Sequence, residues 1–287
     1  MNAIILKPSF IKKLIPARKA NSRKGDNGTV LVVGGSYIYH GAPILSSIAA
    51  LKTGTDLVYT CVPKINAQAT RAASPNLIVL PLADSKLTRG AVNKLLGQIP
   101  HNLDSATIGM GLAIQDISAL KLLISSLLDQ DVRLSLDASA LVNGILPLLP
   151  NKNVVVTPHS GEFKRLFGEI PSDSIKERIK TVEKHAKENS VTVLLKGPTD
   201  IISDGKKTFL NPKKIPSMTV GGTGDVLSGI VAGLLARNRN PLESASAAAF
   251  VNSQAGKLVQ RKFGLHITAS DLLDVLPIVL KPFDRIR

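Results

Sequence analysis

The sequence predicts an α/β fold, a mostly parallel sheet covered by helices on both faces. Three observations carry the prediction. Apolar runs with strand character alternate with helical stretches through most of the 287 residues. At 44% hydrophobic, the chain has ample core for one large domain. The glycine-rich and polar motifs all follow predicted strands, where ligands gather in sheets of this kind.

Taken in order, Thr29–Gly34 is a β-branched run ending in glycines, a buried strand. Ala42–Gly54 is a small-residue helix with Pro43 near its start and Gly54 at its end. Leu57–Val62 is the next strand. Asn76–Leu82, Ser105–Met110 and Val132–Leu136 are further apolar runs, separated by the helical stretches Leu87–Ile99 and Ser118–Leu128. Asn153–Thr157 reads as a strand and Ser160–Phe167 as the helix after it. Ser172–Ser190 is an amphipathic helix with Ile175, Ile179 and Val182 inward and its charges in solvent. Val191–Leu195, Asp200–Ser203 and Thr208–Leu210 read as strands, the last two joined by the Asp204-Gly205 turn. The C-terminal third is helical over Val226–Arg237, Leu242–Lys262 and Ala269–Leu276. With no linker, repeat or low-complexity segment, one domain over residues 1–287 is the simplest account. Residues 1–25 are a basic extension packed on it.

Composition narrows the function classes. No apolar run is long enough to span a bilayer. The single cysteine, Cys61, rules out an internal disulfide framework and fits a reducing cytoplasm. Its place in Leu57–Val62 makes it inert core. The net charge is +15, and Lys7, Lys12, Lys13, Arg18, Lys19, Arg23 and Lys24 precede the first acid, Asp26. Nucleic acid, a cleaved presequence and a basic surface that attracts anionic substrates compete as explanations. At 3% aromatic there is no stacking platform for nucleic acid. The segment runs unbroken into the first motif, and its Ile/Leu pairs look like packing residues. The basic surface is preferred.

The stretch Met218–Gly229 is the most informative. A glycine-rich turn, Gly221-Gly222-Thr223-Gly224, opens directly into an apolar helix. Such a turn aims unpaired N–H groups and the positive end of a helix dipole at one point, a place for a phosphate. Asp225 then stands at the mouth of an anion site. It either caps the helix or removes a proton from a hydroxyl beside a phosphoryl donor. Lys196-Gly197-Pro198-Thr199-Asp200 lies between two strands and brings a cation and backbone donors to phosphates, or is a hairpin with a surface lysine. Gly109-Met110-Gly111-Leu112 is a turn or a flat backbone surface against a planar ligand. Asp137 is a helix cap, the favoured reading, or a site residue. His159 and Glu162 follow a strand, either as turn and first-turn residues or as ligand and hydrated-Mg²⁺ contacts. Neither a GxGxxG fingerprint nor a GxxxxGK[ST] loop occurs. An anion hole, an acid at its lip and a lysine describe phosphoryl transfer.

Together these segments resemble the ribokinase-like superfamily, and within it the NAD(P)H-hydrate dehydratase family. The resemblance runs in order from about Lys24 to Pro277 through GGSYIYHGAP, GMGL, LDASAL, VTPHSGEFKRLFG, LLKGPTDIISDG, MTVGGTGDVLSGIVAGLLA and GLHITASDLLDVLP. It implies a three-layer α/β/α sandwich. It also implies a hydro-lyase that uses ADP, less readily ATP, to return (S)-NADHX and (S)-NADPHX to NADH and NADPH. By resemblance Asp225 is the base, and Gly222, Thr223 and Gly224 form the anion hole. Lys196, Gly197, Pro198, Thr199, Asp200 and Gly224 hold the nucleotide. Ala42, Gly111, His159 and Asp225 meet the hydrated dinucleotide, and Glu162 serves Mg²⁺ indirectly. The resemblance further implies a cytoplasmic homo-oligomer, a tetramer, working with a separate epimerase because this chain has no epimerase domain.

Departures stand beside it. The family's GPGLG is here Gly109-Met110-Gly111-Leu112-Ala113, and its Pro-Gly-Met is Pro216-Ser217-Met218. A small-residue His-Gly helix step is replaced by Phe250–Gly256. A small-alcohol kinase of the hydroxyethylthiazole or pyridoxal type is the alternative enzyme. A non-enzymatic nucleotide- or nucleic-acid-binding protein is the alternative class.

Overall fold

A computed structural model describes residues 3–150 and 153–287. The strands form one ten-stranded sheet. In chain order they are β1 (Ile4–Ile5), β2 (Thr29–Val33), β3 (Leu57–Pro63), β4 (Ile78–Leu82), β5 (Ser105–Ile108), β6 (Arg133–Leu136), β7 (Val154–Val156), β8 (Thr192–Leu195), β9 (Thr199–Ser203) and β10 (Thr208–Pro212). Their spatial order is β1-β10-β9-β8-β7-β6-β5-β2-β3-β4. Neighbours pair in parallel except around β9, which is antiparallel to both β8 and β10. The sheet is therefore mostly parallel, as the alternation predicts.

The helices are α1 (Pro8–Leu14), α2 (Gly41–Lys52), α3 (Ala67–Ala73), α4 (Arg89–Leu96), α5 (Ile117–Asp129), α6 (Ser160–Phe167), α7 (Ile175–Glu188), α8 (Thr223–Asn238), α9 (Pro241–Phe263) and α10 (Ala269–Leu280). They cover both faces, because each central strand sends alternate side chains into different cores. In β2, Leu31 and Val33 enter the core beneath α4 and α5, while Val30 and Val32 enter that beneath α2 and α8. In β7 the split repeats, with Val154 and Val156 on one face and Val155 on the other. Cys61 is fully buried, and burial pushes its thiol far above the usual range.

Several boundaries and elements differ from the sequence reading. The GTGD turn itself winds, so α8 begins at Thr223 rather than Val226. Pro277 lies inside α10, which runs on to Leu280. In α7, Val182 is buried but Ile175 is 43% exposed, because it sits at the first turn beyond the core's edge. His185, on the same helix, is buried, stacked on Phe167 and hydrogen-bonded to Glu169. The basic N-terminal segment is a working part of the fold. Strand β1 adds to the sheet edge beside β10, and Ile11, Leu14 and Ile15 are buried in the α9 core. Arg18 pairs with Asp56 at 2.6 Å, while Lys12, Lys13, Lys19, Arg23 and Lys24 remain exposed. Among the described residues, no helix is long and apolar enough to cross a membrane.

Candidate active site

The site forms where α8 begins. Close packing holds that helix in place. A Cβ at Gly229 would strike the Ser46 carbonyl oxygen, so α2 and α8 touch backbone to backbone. Buried hydroxyls stitch α8 to the sheet: Thr107 and Ser228 lie 2.6 Å apart, and Ser105 donates to the Ala232 carbonyl at 2.7 Å. At its N-terminus the chain turns through Gly222, φ 93°, with no side-chain cap. A Cβ there would lie 2.7 Å from Ala269 and 2.8 Å from Leu45. The first intrahelical bond is Val226 N–H to Gly222 O. The N–H groups of Thr223, Gly224 and Asp225 have no carbonyl a turn earlier in the helix to meet, and a bound anion would complete them. The Thr223 hydroxyl points elsewhere, donating to the Met218 carbonyl at 3.0 Å.

Asp225 stands in this first turn and caps nothing. Burial, then the charge of Asp137, pushes its carboxyl up to about 7 against the pull of Lys196. That value suits a group that accepts a proton near neutral pH. Lys196 follows β8, in the tight connection to β9, and is no surface lysine. Its Nζ lies 2.9 Å from Asp137 Oδ1 and 3.4 Å from Glu162 Oε2. Burial pulls the ammonium down, but the two carboxylates outweigh it and it stays charged. Asp137 makes no cap, contrary to the favoured sequence reading; its charge is needed by Lys196.

A cavity of about 500 Å³ opens beside this group. His159, Lys196, Gly197, Pro198, Thr223 and Gly224 line it, all sequence-predicted site residues. Lys213, Lys214, Ile215, Pro216, Met218, Thr219, Leu227 and Asn252 complete it. Pro216, Met218 and Asn252 lie in the segments where the chain departs from the family pattern, while Lys213, Lys214 and Leu227 were missed by the sequence reading. Asp200 lies outside the cavity, 1% exposed. Its carboxylate accepts from Gly197 N–H, Asn211 and Lys213, so it holds the Lys196–Pro198 loop from beneath. Thr199 is the first residue of β9, beside it. Ala42 and Gly111 meet on the other side of the α8 terminus: a Cβ on Gly111, φ 63°, would lie 3.3 Å from that of Ala42. The sheet thus brings both predicted substrate loops to its carboxyl end.

His159 is the N-cap of α6. Its Nδ1 accepts from Gly161 N–H at 3.0 Å, and Glu162 returns the bond to His159 N–H at 2.9 Å. Glu162 is therefore committed to this capping box and to Lys196. Among the described residues no group of three or more His, Cys, Asp or Glu could hold a metal. The residues do not fit a metal ligated by protein alone. They fit Mg²⁺ carried by nucleotide phosphates in its own water shell, with the carboxylates outside that shell.

The sequence profile of the NAD(P)H-hydrate dehydratase family matches residues 30–278. The chain belongs to this family. It is 72% identical to the ADP-dependent (S)-NAD(P)H-hydrate dehydratase of Nitrosopumilus maritimus, over 98% of both chains. It is 40% identical to the bifunctional NAD(P)H-hydrate repair enzyme Nnr of Pyrobaculum aerophilum, over 99% of this chain but 57% of that one. In structure it is similar to the ADP/ATP-dependent NAD(P)H-hydrate dehydratase of Bacillus subtilis co-crystallised with ATP and Mg²⁺. The TM-score is 0.86 at 26% identity, over 99% of this chain and 100% of that one. The ribokinase-like α/β fold and the hydro-lyase family expected from the motifs are both correct.

Proposed function

We propose that this protein is an ADP-dependent hydro-lyase that returns (S)-NADHX and (S)-NADPHX to NADH and NADPH. The observation that carries the reading is Asp225, a carboxylate raised to about 7 beside an empty-handed helix terminus and Lys196. A structural site would not place it there; a base facing a phosphoryl donor must be there. The 72% identity to a relative named ADP-dependent supports ADP as the donor and sets the kinase alternative behind.

In this reading the nucleotide base enters the apolar cavity, and its phosphates meet Lys196 and the N–H groups of Thr223 and Gly224. The hydrated nicotinamide lies toward Ala42, Gly111 and His159. Asp225 removes the ring hydroxyl proton as that oxygen attacks the terminal phosphorus, and AMP leaves. The C–O bond to the new phosphate then breaks, the neighbouring ring carbon gives its proton to an oxygen of the departing phosphate, and the double bond returns. Phosphate departs against the same N–H groups that received it. When bound with the nucleotide, Mg²⁺ neutralises phosphate charge.

The protein acts in the cytoplasm as a homo-oligomer, a tetramer. A second repair activity accompanies it, an epimerase supplying the S form, and the bifunctional name of the Pyrobaculum relative supports that link. The test is recovery of the near-ultraviolet absorbance of reduced nicotinamide from (S)-NADHX with Mg²⁺ and ADP or ATP. Recovery with equimolar phosphate is expected with ADP. A stable phosphorylated alcohol in place of free phosphate would make the protein a kinase.

A further inference from the structure

A second cavity, of about 490 Å³, lies on the far side of α9. At 3.6 residues per turn, Phe250 and Gln254 stand opposite Asn252, so α9 separates this cavity from the active site. Its floor is apolar. Phe250 and Phe283 meet edge to face there, ring centroids 6.2 Å apart, and Leu258 and Val279 flank them. Ile278, on α10, lines the cavity while 62% exposed. The polar lining is cationic. Lys257 and Arg261 lie one turn apart on α9, Lys12 faces them from α1, and no acid lines the cavity. Every ion pair among the described residues uses other cations, so these three charges are unanswered.

We propose that this cavity binds an apolar carboxylic acid, a hydrocarbon body with one anionic head. Apolar surface held open to water and edged by polar groups marks a binding site. The volume falls in the range of about 300–1,000 Å³ that holds small molecules. The floor calls for hydrocarbon, and the three cations call for an anion. Arg261 presents a planar fork that matches the two oxygens of a carboxylate. Gln254, half-buried between Phe250 and the cations, can donate to the same oxygens. A second copy of the chain fits less well. A two-fold contact here would set Lys12, Lys257 and Arg261 of each copy against those of the other, in a protein of net charge +15. Nucleic acid would use the cations and leave the floor idle. The site is independent of the proposed dehydration, since no residue lines both cavities.

The experiment titrates the protein with decanoate, below its micelle-forming concentration, and with decyltrimethylammonium as the cationic counterpart. Methyl NMR reports both affinity and place. Decanoate should give saturable shifts at Leu258, Ile278 and Val279 and bind about tenfold tighter than the cation, from the summed worth of part-exposed charge pairs. Arg261→Glu should weaken decanoate about tenfold, whereas Lys94→Glu, on α4 across the sheet, should change it by less than about twofold. Shifts centred on Met218 and Leu227 would put the acid in the active-site cavity and overturn the assignment. So would the absence of saturation, equal affinities for the two amphiphiles, or equal effects of the two substitutions. If Arg261→Glu does not fold, the wild-type contrast and its shift map decide alone.

Discussion

Replacing Asp225 by Asn should stabilise the protein while abolishing its turnover. The carboxyl moves from 3.8 to about 7 on folding, driven by burial and then by Asp137. A raised acid means that the folded state holds the proton more tightly than the unfolded chain. Stability therefore falls as pH rises from about 4 to about 7, and above that the full penalty is present. The shift corresponds to a ceiling of about 4 kcal/mol. Asp225 is part-exposed, so solvent screening reduces this to about 1–3 kcal/mol. Asparagine keeps the shape and removes the charge, so Asp225→Asn should gain that amount at pH 8 and much less at pH 5. Urea unfolding at the two pH values measures it. Turnover should fall by roughly 10²–10⁴, the usual worth of a positioned base. A variant that is less stable than wild type at pH 8, or whose gain is the same at both pH values, would refute the electrostatic account. Retained turnover would refute the base.

Three other perturbations test the surrounding parts. Lys196→Met leaves Asp137 and Glu162 buried without their cation and should cost about 3–5 kcal/mol; adding Asp137→Asn should restore part of the stability in urea melts but no nucleotide binding. Asp137→Asn alone removes the second cause of Asp225's raised value and strengthens the pull of Lys196 on it, so the acid limb of the kcat/KM profile should move to lower pH. Gly229→Ala drives a methyl into the Ser46 carbonyl and to 2.9 Å from Ala49 Cβ, so thermal melts should show a loss of about 1–3 kcal/mol from overpacking between α2 and α8.

The fold was legible because its strands are buried on both faces and read as continuous β-branched runs, Thr29–Val33 and Val154–Val156 above all. What escaped had little contrast. Helix α3, Ala67–Ala73, has no apolar stripe, and β1 is two residues long. Helix α1 had a signal, Pro8 at its start with Ile11, Leu14 and Ile15 at helical spacing, overshadowed by the charge around it. In the site, Asp225, Lys196 and His159 were legible because each follows a strand or a glycine turn. The role of Asp137 was not, since its partner Lys196 lies 59 residues on. A local pattern offers a cap, and only the sheet brings the ammonium to it. The cavity wall was legible in part: the departures at Pro216–Met218 and Phe250–Gly256 both lie on it, while Lys213 and Lys214, beyond the β10 end, carried no motif.

Where local rules fail is itself informative. Most of α8 is built for packing: Gly229 admits α2, Ser228 bonds the sheet, and the rest of its interior is apolar and buried. Its first turn breaks the rules one after another. A left-handed Gly222 stands at the N-cap with no side-chain cap, followed by a carboxylate whose surroundings disfavour its charge. Across the cavity, Lys214 adopts φ 43°, a conformation disfavoured for a residue with a side chain, and Asn252 buries an unanswered oxygen. Each of these costs the apo protein stability. Left-handed residues and unpaired buried oxygens also occur away from the cavity, at Ser190 and Ser135 for example. The uncapped turn and the raised carboxylate at the α8 terminus have a common cause, since phosphate oxygens and a hydroxyl proton would answer the N–H groups and the carboxylate in turn.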